Sequence, residues 1–307
     1  MSDHHEHHHG HGMAEDLPRL HALLGRRRAL QWFAGAGTAA LVAGCGGSGS
    51  SSGTVSVVSG TTATVTPTPT PTASATPTTT PTSTTTGGSC VALPTETSGP
   101  FPGDGTNTSA GSTSNVLTAS GIVRSDIRPS FLTTTTVATG VLVRITLTLV
   151  NVNATCAPLA GYAVYLWHAD RQGSYSLYGS AANESYLRGV QVTDANGQVT
   201  FTTIYPPAYD GRWPHMHFEV FSSLSNGLGG RFSILTSQLA MPASTNSTVF
   251  ADTTTYPTAA SIYSRVSLAT DGVFGDNTAS QIAAMTPSMT GSPSAGYTAA
   301  ATIGIAR

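Results

Sequence analysis

The chain has 307 residues, of which only 9% are charged, and 13 basic side chains against 15 Asp plus Glu leave a net charge of -2. No lysine occurs, Ser, Thr, Gly and Ala dominate, and no basic stretch lies beyond the first thirty residues. The electrostatic footprint of a nucleic-acid binder is therefore missing, and nucleic acid is excluded as a partner.

Residues 1–45 read as an address. The head "MSDHHEHHHGHG" holds six of the ten histidines, but it precedes an export-type segment and would leave with it, so it stays outside the site argument. In "GRRRALQWFAGAGTAALVAGC" the arginines Arg26, Arg27 and Arg28 come before an apolar run of small residues, the order of an export signal. The segment resembles a bacterial twin-arginine signal, with Arg26 and Arg27 as the pair. Its end, Val42-Ala43-Gly44-Cys45, resembles the lipobox of bacterial lipoproteins. Residues 29–44 are too short for the roughly 20 apolar residues of a membrane span. The expectation is export by the twin-arginine route to the periplasm or cell surface, with membrane contact only through a lipid on Cys45.

Residues 46–89 are rich in Ser, Thr, Pro and Gly, too polar and too proline-rich to bury a core. They predict a disordered linker whose Thr-Pro repeats favour extended segments. Residues 90–307 form the one foldable unit, long enough for a sizeable core. With Cys45 assigned to lipid, Cys90 and Cys156 remain as an even pair in an oxidising compartment, and a disulfide between them is expected.

Within that unit short β-rich runs recur between turn signals: 141–150, 162–170, 197–205, 215–221 and 297–306. Val141, Val143, Ile145, Leu147 and Leu149 alternate with polar or small neighbours, the period of a half-buried strand. "DANG" at 194–197 is a turn between two strands. One short helix is predicted near 278–285. The fold class is all-β, a β-sandwich core with long loops and few short helices.

Beyond Cys45 the chain keeps only His168, His215 and His217. Residues i and i+2 of a strand point to one face, so His215 and His217 can present both imidazoles to one metal ion. Tyr209 lies on the loop leading into that strand. A free phenol has a pKa near 10, so tyrosine ligates only an ion charged strongly enough to displace its proton, as ferric iron is. Zinc or copper would more often call for further His or Cys, which this chain lacks.

"TIYPPAYDGRWPHMHFEV" (203–220) is similar to the iron-site segment of the intradiol ring-cleavage dioxygenases, the family of protocatechuate 3,4-dioxygenase and catechol 1,2-dioxygenase. The resemblance extends through "CVALPTETSGPF" (90–101), "RSDIR" (124–128), "CAPLAGYAVYLWHADRQGSYSLYG" (156–179), "YLRGVQVTDANGQVTFTTIYP" (186–206) and "LTSQLAMP" (235–242). It implies a non-haem Fe(III) held by Tyr175, Tyr209, His215 and His217, with Tyr178 the local competitor of Tyr175 and packing its alternative role. It further implies that Tyr209 is the ligand displaced by substrate, that Arg212 faces the substrate ring, and that Gln238 lies near the same pocket. Substrates would be a small aromatic diol and O2, cleaved to a muconate-type diacid without an organic cofactor. Pro207-Ala208 replaces a common Gly-Trp, Trp213 a small residue, and Glu219, taken to follow the strand, stands where a basic residue is frequent. All are expected near enough to alter the pocket.

Two other readings stay open from sequence. One is a tethered β-sandwich binding module that has lost turnover. The other is a metal-dependent hydrolase using His215 and His217 with Asp170 or Asp210. Neither the substrate nor homodimer formation follows from the sequence.

Overall fold

The computed structural model describes residues 90–209, 211–229 and 233–307. The signal segment, Cys45, the linker and Asp210 lie outside the described residues. Strands arrange as β1 (Asp104–Ser109), β2 (Ser112–Asn115), β3 (Leu142–Asn151), β4 (Ala157–Pro158), β5 (Ala163–Trp167), β6 (Arg188–Val192), β7 (Gln198–Ile204), β8 (His215–Phe221), β9 (Leu235–Ala240), β10 (Ser288–Ser292) and β11 (Gly296–Ile305). The helices among the described residues are short, the longest having seven residues, and none is long and apolar enough to cross a membrane. The all-β expectation holds.

One sheet runs β10-β11-β3-β4, with β7 also paired to β3, and a second runs β6-β5-β8-β9; β1 and β2 form a separate hairpin. The closing strand β11 lies parallel to β3. In β3 the alternate residues Val143, Ile145, Leu147 and Leu149 are fully buried, as their period of two requires. They pack in one core with Met216, Phe218 and Val220 from β8, so the core fills the space between the two main sheets.

All seven residues of β8 are buried, which an outer face in water would not allow. Met216, Phe218 and Val220 take the core face. His215, His217 and Glu219 take the other, and loops and the leading segment of the domain close over it.

That segment is a strap. It starts at the expected disulfide, Cys90 to Cys156, with Cα atoms 5.8 Å apart. Leu93 N then donates to Gly304 O at 3.0 Å on β11, and Glu96 N to Thr236 O at 2.8 Å on β9. The strap thus passes from one sheet to the other. The predicted helix is present at Ala279–Met285, opened by a Thr278/Gln281 capping box, which satisfies the otherwise orphaned N–H groups of its first turn.

Candidate metal centre

The loop between β7 and β8 delivers Tyr209 and Arg212. Arg212 N donates to Tyr209 O at 2.8 Å, and Gly211 between them has φ +72°, the left-handed position that a turn of this kind reserves for glycine. Tyr175 comes from the loop after β5, whose Gly173 N closes on Asp170 O at 2.9 Å. His215 and His217 open β8.

These four side chains meet. Tyr175 Oη lies 2.9 Å from Tyr209 Oη, 3.0 Å from His217 Nε2 and 3.4 Å from His215 Nε2. Tyr209 Oη is 3.0 Å from His215 Nε2, and the two Nε2 atoms are 3.0 Å apart. Tyr175, His215 and His217 are buried, whereas Tyr209 is half-exposed. Tyr178 is turned elsewhere: its hydroxyl accepts from Gly103 N at 2.8 Å and donates to Asn107 Oδ1 at 2.8 Å.

Electrostatics follow from burial. Both imidazoles are held well below the ordinary histidine pKa, first by burial, then by Arg212 for His215 and by His215 for His217. They are neutral and offer lone pairs. Trp213 O can only accept, so at 2.6 Å it receives the Nδ1–H of His215, which leaves His215 Nε2 unprotonated and aimed at the phenols. Burial pushes Tyr175 well above the usual phenol value, and the Tyr209 oxygen beside it adds to this. Burial raises Tyr209 as well, while the Arg212 guanidinium next to it pulls the other way without cancelling the rise. Neither phenol ionises here without a strong cation nearby.

The donor set fits such a cation. Polar atoms about 3 Å apart are spaced like donors sharing one ion at about 2 Å, and two phenols with two neutral imidazoles suit a hard, highly charged ion. Two ionised phenols would offset two of its charges. Among the described residues no group of three or more His, Cys, Asp and Glu is placed to hold a metal, so the set reaches four members only through its tyrosines.

Arg212 and Gln238 adjoin the centre. Arg212 Nη2 donates to Gln238 Oε1 at 2.7 Å, and Gln238 Nε2 to Thr97 O at 2.9 Å. Gln238 pairs in register with His217 across β8 and β9. Trp167 of β5, also in register with His217, stacks on its ring with centroids 4.9 Å apart and planes 9° from parallel.

Other expectations are corrected. Asp170 does not join the imidazoles; Oδ1 accepts from Gln172 N and Ser174 N at 2.9 and 3.0 Å, and Oδ2 from Tyr186 Oη at 2.7 Å. It shapes the Tyr175 loop. Glu219 lies within β8 rather than after it, and its Oε1 accepts from Thr236 Oγ1 at 3.1 Å; burial first, then neighbouring Asp104, raises its pKa to about 8. Ala208 and Trp213 pack into the core between the sheets, where the Trp213 ring meets Tyr263 at 5.0 Å and its Nε1 donates to Met241 O at 2.9 Å. His168 is a satisfied core histidine between Ala169 O and Thr203 Oγ1.

Three contributors escaped sequence reasoning. Gly99 of the strap has φ +72°, and a Cβ built there would stand 3.3 Å from His217 Cε1, so the strap roofs the centre closely enough that a side chain at this position would crowd the imidazole. Arg188, buried on β6, donates to Phe101 O, Pro102 O, Ser176 O, Ser176 Oγ and Tyr165 Oη at 2.7–2.9 Å. It ties the strap to the Tyr175 loop. Asp271 pairs with Arg212 at 3.0 Å. A lone arginine in an alternating strand is visible in sequence; the aspartate in "ATDGVF" reads as any turn residue.

Residues 122–226 match the family described as Dioxygenase. A solved dioxygenase structure covers 71% of this chain and 95% of its own length at 24% identity with a TM-score of 0.50. An intradiol ring-cleavage dioxygenase from Tetranychus urticae covers the same shares at 25% identity and TM-score 0.49. A catechol 1,2-dioxygenase from Pseudomonas arvilla C-1 covers 69% of this chain and 62% of its own at 20% identity and TM-score 0.41. The matched stretch contains Tyr175, Tyr209, Arg212, His215 and His217, and with it the resemblance of this chain to the intradiol ring-cleavage dioxygenases is borne out.

Proposed function

We propose that the chain is a non-haem Fe(III)-dependent intradiol dioxygenase that cleaves a catechol-type diol with O2 to a muconate-type diacid, placing both oxygen atoms in the product. The observation that carries this reading is the convergence of two phenol oxygens and two neutral imidazole nitrogens within 2.9–3.4 Å of one another. Tyr175, Tyr209, His215 and His217 would hold the iron, whose bound chemistry is Lewis acidity toward phenolic oxygens.

The residues of the chain divide the remaining tasks. Tyr209, the one half-buried member of the four, would give way to an entering diol and accept a proton from it at Oη. Arg212, next to Tyr209 and steadied by Gln238, stabilises negative charge developing on the ring in a site with little water to screen it. Trp167 and Gly99 pack on His217 and keep solvent from its ring. Export by the twin-arginine route and anchoring through Cys45 belong to the same proposal, supported by the order of arginines, apolar run and cysteine at residues 26–45.

The test is to load the protein with Fe(III) and supply a panel of catechols while following colour, oxygen uptake and product. A red-brown protein that consumes O2 and releases a ring-opened diacid is expected. Tyr209→Phe should stay folded and lose most of the visible absorption and the activity. A colourless wild-type protein that takes up no oxygen with any catechol overturns the reading.

A further inference from the structure

Asp271 is 3% exposed and has no part in the chemistry proposed above. Its Oδ2 accepts from two donors at once, Arg212 Nε at 3.0 Å and Trp213 N at 2.7 Å. Its Oδ1 accepts from Val273 N at 2.8 Å and Phe274 N at 3.1 Å. Four N–H groups thus fall on one buried carboxylate. That is the environment of a fixed anchor, held at both oxygens.

Two lines lead from this anchor to the centre. The first runs through the Arg212 guanidinium, whose other end reaches Gln238 at 2.7 Å. The second runs through Trp213: the residue whose N–H is held by Asp271 offers its carbonyl to His215 Nδ1 at 2.6 Å. Phe274, whose amide is held by the opposite oxygen, sets its ring edge-on to His215 with centroids 6.4 Å apart. Arg212 and His215 are therefore oriented from one point.

We propose that Asp271 is the positioning residue of this centre, its carboxylate fixing both the direction of the Arg212 guanidinium and, through the Trp213 backbone, the tautomer and aim of His215. The proposal rests on the reading of the centre as an iron site, though the contacts that carry it do not involve the metal. A carboxylate is required in place of an amide. An amide would turn an NH2 toward one of the two donor pairs and would leave Arg212 buried without a counter-charge.

The test uses the full chain and Asp271→Asn. In the metal-free wild type, the His215 Nδ1 proton should appear by NMR as a downfield, slowly exchanging signal; in Asp271→Asn it should be lost or broadened. On loading, Asp271→Asn should bind Fe(III) about 10–100-fold more weakly, the usual cost of removing a group that orients a ligand. Arg212→Gln should lose catechol affinity and keep the His215 Nδ1 proton signal of the wild type, because the line through Trp213 is left intact. Measured at saturating iron, the catechol loss of the double variant Arg212→Gln/Asp271→Asn should fall short of the sum of the two single losses, because the two residues share the Arg212 contact. If Asp271→Asn fails to fold, the double variant removes both buried charges together and carries the same proton and iron measurements.

An unchanged His215 signal with unchanged iron affinity overturns the proposal, as does a catechol loss that adds fully to that of Arg212→Gln. Should the wild type bind no iron at all, the proposed function fails, and the proton signal of the metal-free protein still decides the role of Asp271.

Discussion

Gly173 has φ +89°, and a Cβ built on it would stand 2.9 Å from the Cβ of Tyr209. Only a residue without a side chain lets the two loops of the centre approach this closely. Gly173→Ala is expected to cost roughly 1–2 kcal/mol for the left-handed backbone alone and to displace Tyr209 as well. A lower melting temperature together with an altered visible band of the iron-loaded protein would show both effects; a variant with wild-type values of each would contradict the close approach. At this scale the sequence was informative where chemistry is rare. Three histidines and a tyrosine-bearing loop single themselves out in a chain with so few charges. Asp271 did not, because it acts on Arg212 from 59 positions away and nothing local sets it apart from a turn aspartate.

Strand β8 explains why the site lies where it does. Its odd-numbered positions carry His215, His217 and Glu219, while Met216, Phe218 and Val220 anchor the strand in the core. Because successive side chains alternate, every residue packed on the core face fixes the aim of an imidazole on the other. Phe218 is fully buried, and Phe218→Ala should cost about 3–5 kcal/mol. The urea midpoint would report the loss, and a midpoint shifted by less than a quarter of that would mean the core does not brace this strand. Strands β3, β7, β8 and β11 were legible from alternation and branched side chains. The hairpin β1–β2 was not: "DGTNTS" and "STSN" hold no apolar face, and the hairpin forms through backbone pairing at registers such as Thr108 with Thr113. Strand β5 was expected to run to Asp170 but stops at Trp167, because Asp170 captures backbone amides of the following turn.

Across the whole domain, buried His168 and half-buried Glu96 set opposing responses to pH. Burial holds His168 down to about 4 from 6.5, so the unfolded chain binds the extra proton and stability falls as pH drops from about 6.5 to about 4. Burial raises Glu96 from 4.5 to about 7. The folded state then keeps a proton that the unfolded chain has released, and this contribution is lost as pH rises from about 4.5 to about 7. Glu96→Gln keeps an acceptor for Asn277 Nδ2, now 2.9 Å from Glu96 Oε1, and removes only the second effect. Its denaturant midpoint should gain on that of the wild type as pH climbs through this window; a constant difference would disprove the assignment. The disulfide acts on the same scale by closing a long loop between Cys90 and Cys156. Replacing both cysteines with serine should cost about 2–5 kcal/mol, readable as a lower unfolding midpoint that no longer responds to reductant.

That bond also decides how the domain bears load. The strap that roofs His217 begins at Cys90, and Cys90 is fastened to Cys156 beside the end of β3. A pull arriving along the preceding chain is therefore delivered to the edge of the opposite sheet before it can reach Gly99. The covalent link works as a strain relief, like the clamp on a cable where it enters an instrument, and the chemistry beneath the roof is insulated from a force applied ahead of Cys90.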